Sequence, residues 1–221
     1  MFQQSLNQLS LEKQASVLGR VPLLRELQLL DQGQYNNILK ACSFVELSTG
    51  ELVFERGAQD QSLCFLLTGE LSVFSREADG IPLNNILAGE MFGDLAILDG
   101  AERKVTVAVA NGTAKASYLK INFELFGAVN DFSLIGLATK MKVYRAIVYA
   151  IRWRIELKKS ANRLHPLMPL IKKVAVFAGE KDSLAELQSL YLQARQLACL
   201  LTGWDGNSYC DEAILQDIRN G

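Results

Sequence analysis

Three textures follow one another along the chain. Leu6 to Leu30 is amphipathic with a helical period, and Pro22 opens a second short helix that carries Leu23, Leu24 and Leu27. A third helical stretch runs from about Gln34 to Cys42. From Phe44 to about Leu119 the pattern changes to short apolar runs. These are Leu52 to Phe54, Leu63 to Leu67, Leu71 to Phe74, Leu83 to Leu87 and Val105 to Val109. Gly50, Gly57, Gly69, Gly80, Gly89, Gly93, Gly100 and Gly112 punctuate them. Short strands at regular intervals with glycine turns predict an antiparallel sandwich or barrel. After Phe123 the period is helical again. Asn130 or Asp131 is placed to cap a helix that reaches about Ser160. Its apolar residues form a heptad, with Leu134, Met141, Val148 and Ile155 at one position and Leu137, Tyr144 and Ile151 at the other. Pro166 and Pro169 interrupt the chain. Ser183 and Glu186 make a capping box for a helix to Thr202, which Gly203 ends, and a last short helix covers about Asp211 to Ile218.

The fold class is therefore α+β: an antiparallel sandwich or barrel flanked by helices, with a long helix after it and a small helical region last. The family resemblance given below implies that the sandwich is a cupin-like antiparallel β-roll, or jelly roll, and that the divisions are a helical lead-in (1–43), the β-roll (44–127), a long hinge or dimerisation helix (128–162) and a C-terminal helical module (163–221).

Charge narrows the partners. The chain has 221 residues, with 23 Lys and Arg against 24 Asp and Glu, so its overall balance makes no case for nucleic acid or membrane binding. Arg152, Arg154, Lys158, Lys159, Arg163, Lys172 and Lys173 form a local basic stretch, for which a solvated helix face is the default. Met1 to Arg20 lacks the pattern of a signal peptide, and no apolar run is long enough to span a bilayer. Cys42, Cys64, Cys199 and Cys210 form no CxxC motif. A cytoplasmic protein with reduced thiols is expected.

One segment carries the chemistry: Gly89-Glu90-Met91-Phe92-Gly93-Asp94-Leu95-Ala96-Ile97-Leu98-Asp99-Gly100, followed by Arg103-Lys104-Val105-Thr106-Val107. Gly93 lets backbone approach a ligand closely. Leu95 and Ala96 can present N–H groups from the first turn of a short helix. Arg103 can clamp a phosphate with paired donors, and Asp94 can accept from a sugar hydroxyl. Together they describe a grip for a sugar phosphate.

Here the chain resembles the cyclic-nucleotide-binding domain family, the β-roll of bacterial catabolite-activator regulators, protein kinase A regulatory subunits and nucleotide-gated channels. The resemblance starts at Val21-Pro22-Leu23-Leu24 and runs through Leu63 to Val73 and the cassette Leu87 to Leu98. It takes in Arg103 to Ala110 and extends to about residue 160. It implies roles for single residues. Gly93 matches the cassette glycine, and Leu95 and Ala96 the amides that meet the cyclic phosphate. Arg103 matches the phosphate arginine. Val73, Leu83 and Ile86 match apolar positions on the base side of the pocket, although ordinary core accounts for them equally. Two positions depart from the pattern. Asp94 stands where the family has a Glu for the ribose 2′-hydroxyl and is one methylene shorter. Lys104 replaces a small or hydroxyl residue, and either adds a second cation to the phosphate or points into water.

The resemblance implies a cyclic-nucleotide sensor, with cAMP or cGMP as ligand and no further cofactor. It also implies a homodimer formed through the 131–160 helix and a protein partner for the C-terminal helices. An enzyme is not expected. The single histidine, His165, lies outside the roll, and the GxSxG, Walker and HExxH motifs are all missing. Two alternatives stand beside this reading. One is a ligand-free β-roll kept as an interaction scaffold. The other is a catabolite-activator-like transcription regulator with a divergent DNA-binding end, although Ser183 to Leu201 reads as one helix rather than a helix-turn-helix.

Overall fold

A computed structural model describes residues 1–75, 80–100, 102–204 and 211–220. Ala101, inside the glycine-rich segment, and Cys210 lie outside the described residues. The chain divides into two compact units. One is Met1–Gly127 with Ser133–Ile135, and the other is Ala128–Phe132 with Gly136–Gly221.

The first unit opens with a strand, β1 (Phe2–Ser5), that pairs antiparallel with β2 (Cys42–Ser48). Between them lie α1 (Leu11–Gly19), α2 (Pro22–Leu30) and α3 (Gln32–Lys40). The amphipathic stretch begins its first α-helix at Leu11, because the Ser10 hydroxyl accepts from Lys13 N–H and caps it there. Pro22 sits in the first turn of α2, where its missing N–H costs nothing. Asp31 caps α3 through Gln34 N–H at 3.0 Å. Cys42 belongs to β2 rather than to the third helix, because the chain turns at Ala41 and joins the sheet.

The remaining strands are β3 (Leu52–Phe54), β4 (Ser62–Thr68), β5 (Glu70–Phe74), β6 (Asn84–Leu87), β7 (Met91–Phe92), β8 (Thr106–Val109) and β9 (Lys115–Asn122). They form two antiparallel sheets, in the orders β1-β2-β9-β4-β7 and β3-β8-β5-β6. Alternation decides what each strand buries. Val45 and Leu47 of β2, Cys64 and Leu66 of β4, Leu71 and Val73 of β5, and Val107 and Val109 of β8 meet in one core with Phe54, Phe92 and Tyr118. β4 is buried on both faces, since Leu63, Phe65 and Leu67 are covered as well. Its continuous apolar run reflects that. Gly69 makes the β4–β5 turn at φ +83°, and a Cβ there would lie 2.6 Å from the Lys115 carbonyl oxygen.

The second unit is helical: α5 (Leu137–Ala161), α6 (Met168–Lys173), α7 (Leu184–Trp204) and α8 (Glu212–Asn220). The long helix starts at Leu137 with Gly136 as its N-cap, not at Asn130 or Asp131. The reason is Lys140, a fully buried side chain whose ammonium donates to the carbonyls of Ala128 and Asp131 and holds that stretch out of the helix. Leu134 is thereby left outside α5 and exposed. Met141, Tyr144, Val148, Ile151 and Ile155 of the heptad are buried within the single chain, and Tyr144 packs edge-on against Tyr191 of α7. Half of the capping box forms. Ser183 Oγ accepts from Glu186 N–H at 3.2 Å, but the Glu186 carboxylate accepts from the N–H of Asp182, one residue before the cap, at 2.6 Å. Arg145 braces it from α5, at 2.7 Å from Glu186 and 2.9 Å from Asp182. These bonds hold the Glu186 carboxyl below its ordinary range, the Arg145 hydrogen bond outweighing burial. α7 continues through Gly203, and the segment is one helix. His165 is half-buried and stacks on Trp204 at 3.9 Å. Cys42 and Cys64 are free thiols, whereas Cys199 is disulfide-bonded, so the expectation of reduced thiols fails there. Among the described residues, no helix is long and apolar enough to cross a membrane.

Candidate ligand-binding site

The glycine-rich segment folds as a strand, a left-handed glycine and a short helix. β7 ends at Phe92, Gly93 takes φ +83°, and α4 (Asp94–Asp99) begins. Gly93 is required by more than its dihedral angle. A Cβ at that position would lie 2.7 Å from the Ser62 carbonyl oxygen and 3.0 Å from Arg103 Nη1. The missing side chain is what brings the turn against β4 and the arginine.

Arg103 precedes β8, and its backbone is fixed on both sides. Its N–H donates to the Ala58 carbonyl at 2.9 Å, and its carbonyl accepts from Gly57 N–H at 2.9 Å. The side chain turns inward and is 3 % exposed. Nη1 donates to the Gly93 carbonyl at 2.8 Å. Nη2 donates to Asp60 Oδ1 at 3.0 Å, to the Ser62 carbonyl at 2.9 Å and to Ser62 Oγ at 3.1 Å. The guanidinium lies over the Phe54 ring, 3.7 Å from its centroid, and Phe54 belongs to the sandwich core. Nε is buried and has no hydrogen-bond partner.

Asp60 is shared. Lys120 Nζ donates to its Oδ2 at 2.6 Å, and the Ser62 hydroxyl donates to Oδ1. Burial raises the Asp60 carboxyl, but the hydrogen bonds from Lys120 and Ser62 and the charges of Lys120 and Arg103 outweigh it, so the pKa lies below the ordinary value. Burial also pushes the neighbouring Cys64 thiol up to about 12, so this cysteine is an inert apolar group. Two cations share one carboxylate, and this triad carries an excess positive charge.

The structure thus brings Gly93 and Arg103 together. Asp94 occupies the first position of α4 and is fully buried, while the carboxylate ion-paired with Arg103 is Asp60. Leu95 is half-buried and Ala96 buried, both in the first turn of α4, where backbone N–H groups have no acceptor within the helix. Lys104 is half-buried. Val73 and Ile86 are members of the sandwich core. Leu83 precedes β6, is half-buried, and donates its N–H to the Val73 carbonyl at 2.7 Å. Sequence reasoning missed Asp60, Ser62, Lys120 and Phe54. One signal was present: Lys120 interrupts the apolar run of β9, and its register partner is Cys64 of β4.

Comparison with known proteins bears on the roll that carries this site. Residues 44–120 match the family model described as the cyclic nucleotide-binding domain. A cAMP-dependent protein kinase regulatory subunit of Aspergillus fumigatus is 29 % identical over 115 residues, which are 52 % of this chain and 27 % of that protein. The corresponding subunit of Blastocladiella emersonii is 32 % identical over 80 residues, 35 % of this chain and 20 % of that protein. The matches therefore span about a quarter of the length of these curated relatives. Among solved structures, a cyclic nucleotide-binding domain from Methylobacillus flagellatus superposes with a TM-score of 0.52 at 12 % identity, covering 72 % of this chain and 93 % of that one. Residues 44–120, which lie in the two-sheet roll, are thus similar in sequence to the cyclic nucleotide-binding domain family.

Proposed function

We propose that the first unit binds a cyclic nucleotide, cAMP or cGMP, and that the chain acts as a regulatory protein through that binding rather than through catalysis. The carrying observation is Arg103: a nearly buried guanidinium with an unpartnered Nε, beside a glycine turn and in a triad with one positive charge in excess. A buried donor without an acceptor is costly, and an anionic oxygen relieves that cost. A cyclic phosphodiester carries one negative charge and matches the triad's excess. In this reading Arg103 and the first-turn amides of Leu95 and Ala96 hold the phosphate. Lys104 supplies further positive charge nearby, and Val73, Leu83 and Ile86 lie toward the base. Ligand binding controls output only through a difference in affinity between two conformations, which the helices after Phe126 report to a protein partner. The family resemblance and the regulatory subunits among its relatives support this assignment.

A second reading rests on a separate observation. Both terminal nitrogens of Arg103 already have protein acceptors, and Asp94 is fully buried. That arrangement suits a roll retained as an interaction scaffold, with Arg103 as an internal brace. Calorimetric titration of the purified chain with cAMP, cGMP and cyclic dinucleotides separates the two. The sensor reading expects saturable heat from at least one of them, weakened at least tenfold by Arg103→Lys. No heat at millimolar ligand, with melting curves unmoved, overturns it and leaves the scaffold.

A further inference from the structure

Asp60 is shared unequally between its two cations. Lys120 Nζ donates to Oδ2 at 2.6 Å. Arg103 Nη2 reaches Oδ1 at 3.0 Å and is divided between that oxygen, the Ser62 carbonyl and the Ser62 hydroxyl. Burial raises the Asp60 carboxyl, and of the influences that bring it down the Lys120 hydrogen bond is the largest and the Arg103 charge the smallest. Lys120 is also out of keeping with its strand. It shares one face of β9 with Tyr118 and lies opposite Cys64 of β4, and both of these belong to the sandwich core. An ammonium on the inner face of a sheet costs desolvation, and Arg103 alone would balance the Asp60 charge. Nor does Arg103 rely on the carboxylate alone for its place, since Nη1 bonds the Gly93 carbonyl and Nη2 bonds Ser62.

We infer that Lys120 is a positioning residue for ligand binding: by holding Asp60 it leaves the charge of Arg103 uncancelled and makes the site attractive to an anion. This role rests on the reading that the first unit binds a cyclic nucleotide, and it falls to a residue that acts through Asp60 rather than on the ligand. With Lys120 present, the three side chains sum to one positive charge. Without it they sum to zero, and the carboxylate repels an incoming phosphodiester nearly as strongly as the guanidinium attracts it. Water screens these charges only in part, because the side chains of Arg103, Lys120 and Asp60 are 3 %, 28 % and 24 % exposed. A unit charge on the order of 10 Å from the phosphate, at an effective dielectric constant of about 20, changes affinity on the order of tenfold.

Calorimetric titration of the full chain with cAMP and with cGMP tests this, on variants whose melting curves show them folded. Lys120→Met should weaken binding on the order of tenfold. Lys120→Gln, which keeps a donor for Asp60 but not the charge, should weaken it as much and carries the comparison if Lys120→Met does not fold. Lys120→Arg should keep the wild-type affinity. Adding Asp60→Asn to either neutral variant returns the net positive charge and should restore binding. A brace with no part in the charge balance predicts the opposite. Lys120→Gln would then bind as well as Lys120→Arg, and the double variant would bind no better than the single one. Either result, or a Lys120→Met chain that binds like the wild type, overturns the role of Lys120 and leaves the sensor reading standing. A wild type that gives no heat with either nucleotide overturns both.

Discussion

Removing the Arg103 side chain should destabilise the first unit even with no ligand present, and the size of the effect follows from its contacts. Arg103→Met keeps much of the volume over Phe54 but deletes the hydrogen bonds to Gly93, Ser62 and Asp60. Breaking a buried ion pair by removing one partner costs about 3–5 kcal/mol. Two features reduce that here. Asp60 is 24 % exposed and keeps Lys120 as a partner. An expected loss of roughly 2–4 kcal/mol remains after that reduction. For a unit of this size it lowers the melting temperature by roughly 10 °C. The pairwise part is isolated by a cycle with Asp60→Asn. Because Asp60 is divided between two cations, the coupling to Arg103 should be about 1–2 kcal/mol. Both tryptophans, Trp153 and Trp204, lie in the second unit, so their fluorescence would report the wrong half of the chain. Urea-dependent labelling of Cys42 and Cys64, both buried in the first unit and resolved by peptide mass, reads the right one. A coupling below about 0.5 kcal/mol, the level of ordinary additivity, would refute the view that this ion pair holds the turn in place.

Two further outcomes rest on the same geometry. Gly93→Ala combines a left-handed backbone with a Cβ at 2.7 Å from the β4 carbonyl, and should cost roughly 2–4 kcal/mol. Gly100→Ala has the left-handed backbone but open space, and should cost only about 1 kcal/mol in the same denaturation assay, so equal losses would rule out the clash. The depressed pKa of Asp60 gives a pH signature. Since the folded value lies below the unfolded one, near 3.9, the stabilisation is present above that pH and lost as pH falls through the folded value. Urea midpoints of the wild type and Asp60→Asn, measured from neutral pH down to about 3, should therefore converge on acidification, and a constant gap would contradict the assignment.

How much was legible in the sequence depended on whether local spacing or distant packing did the work. Strand runs between glycines announced the roll because a period of two and a left-handed turn are local properties. The cassette turn was readable for the same reason: Gly93, the helix after it and Arg103 lie within a dozen residues. The start of α5 was not, because what stops it from beginning at Asp131 is Lys140, reaching back to carbonyls nine and twelve residues earlier. The heptad was visible, but its destination was not. A period of seven is the same whether the stripe meets a second copy or, as at Tyr144 and Tyr191, another helix of the same chain.

By itself the sequence determined the succession of a helical lead-in, an antiparallel roll and a helical end, the glycine turn and the arginine beside it, since each rests on residues close in the chain, whereas β1 and α6 left no such mark. Only the tertiary structure decided which carboxylate Arg103 meets. Asp60, 43 positions away, is delivered by the approach to β4, and Lys120 comes from β9 by strand register, while the adjacent Asp94 turns into the interior. Side-chain partners across a sandwich are set by which strands pair and how the faces stack. That long-range geometry leaves no mark in spacing along the chain.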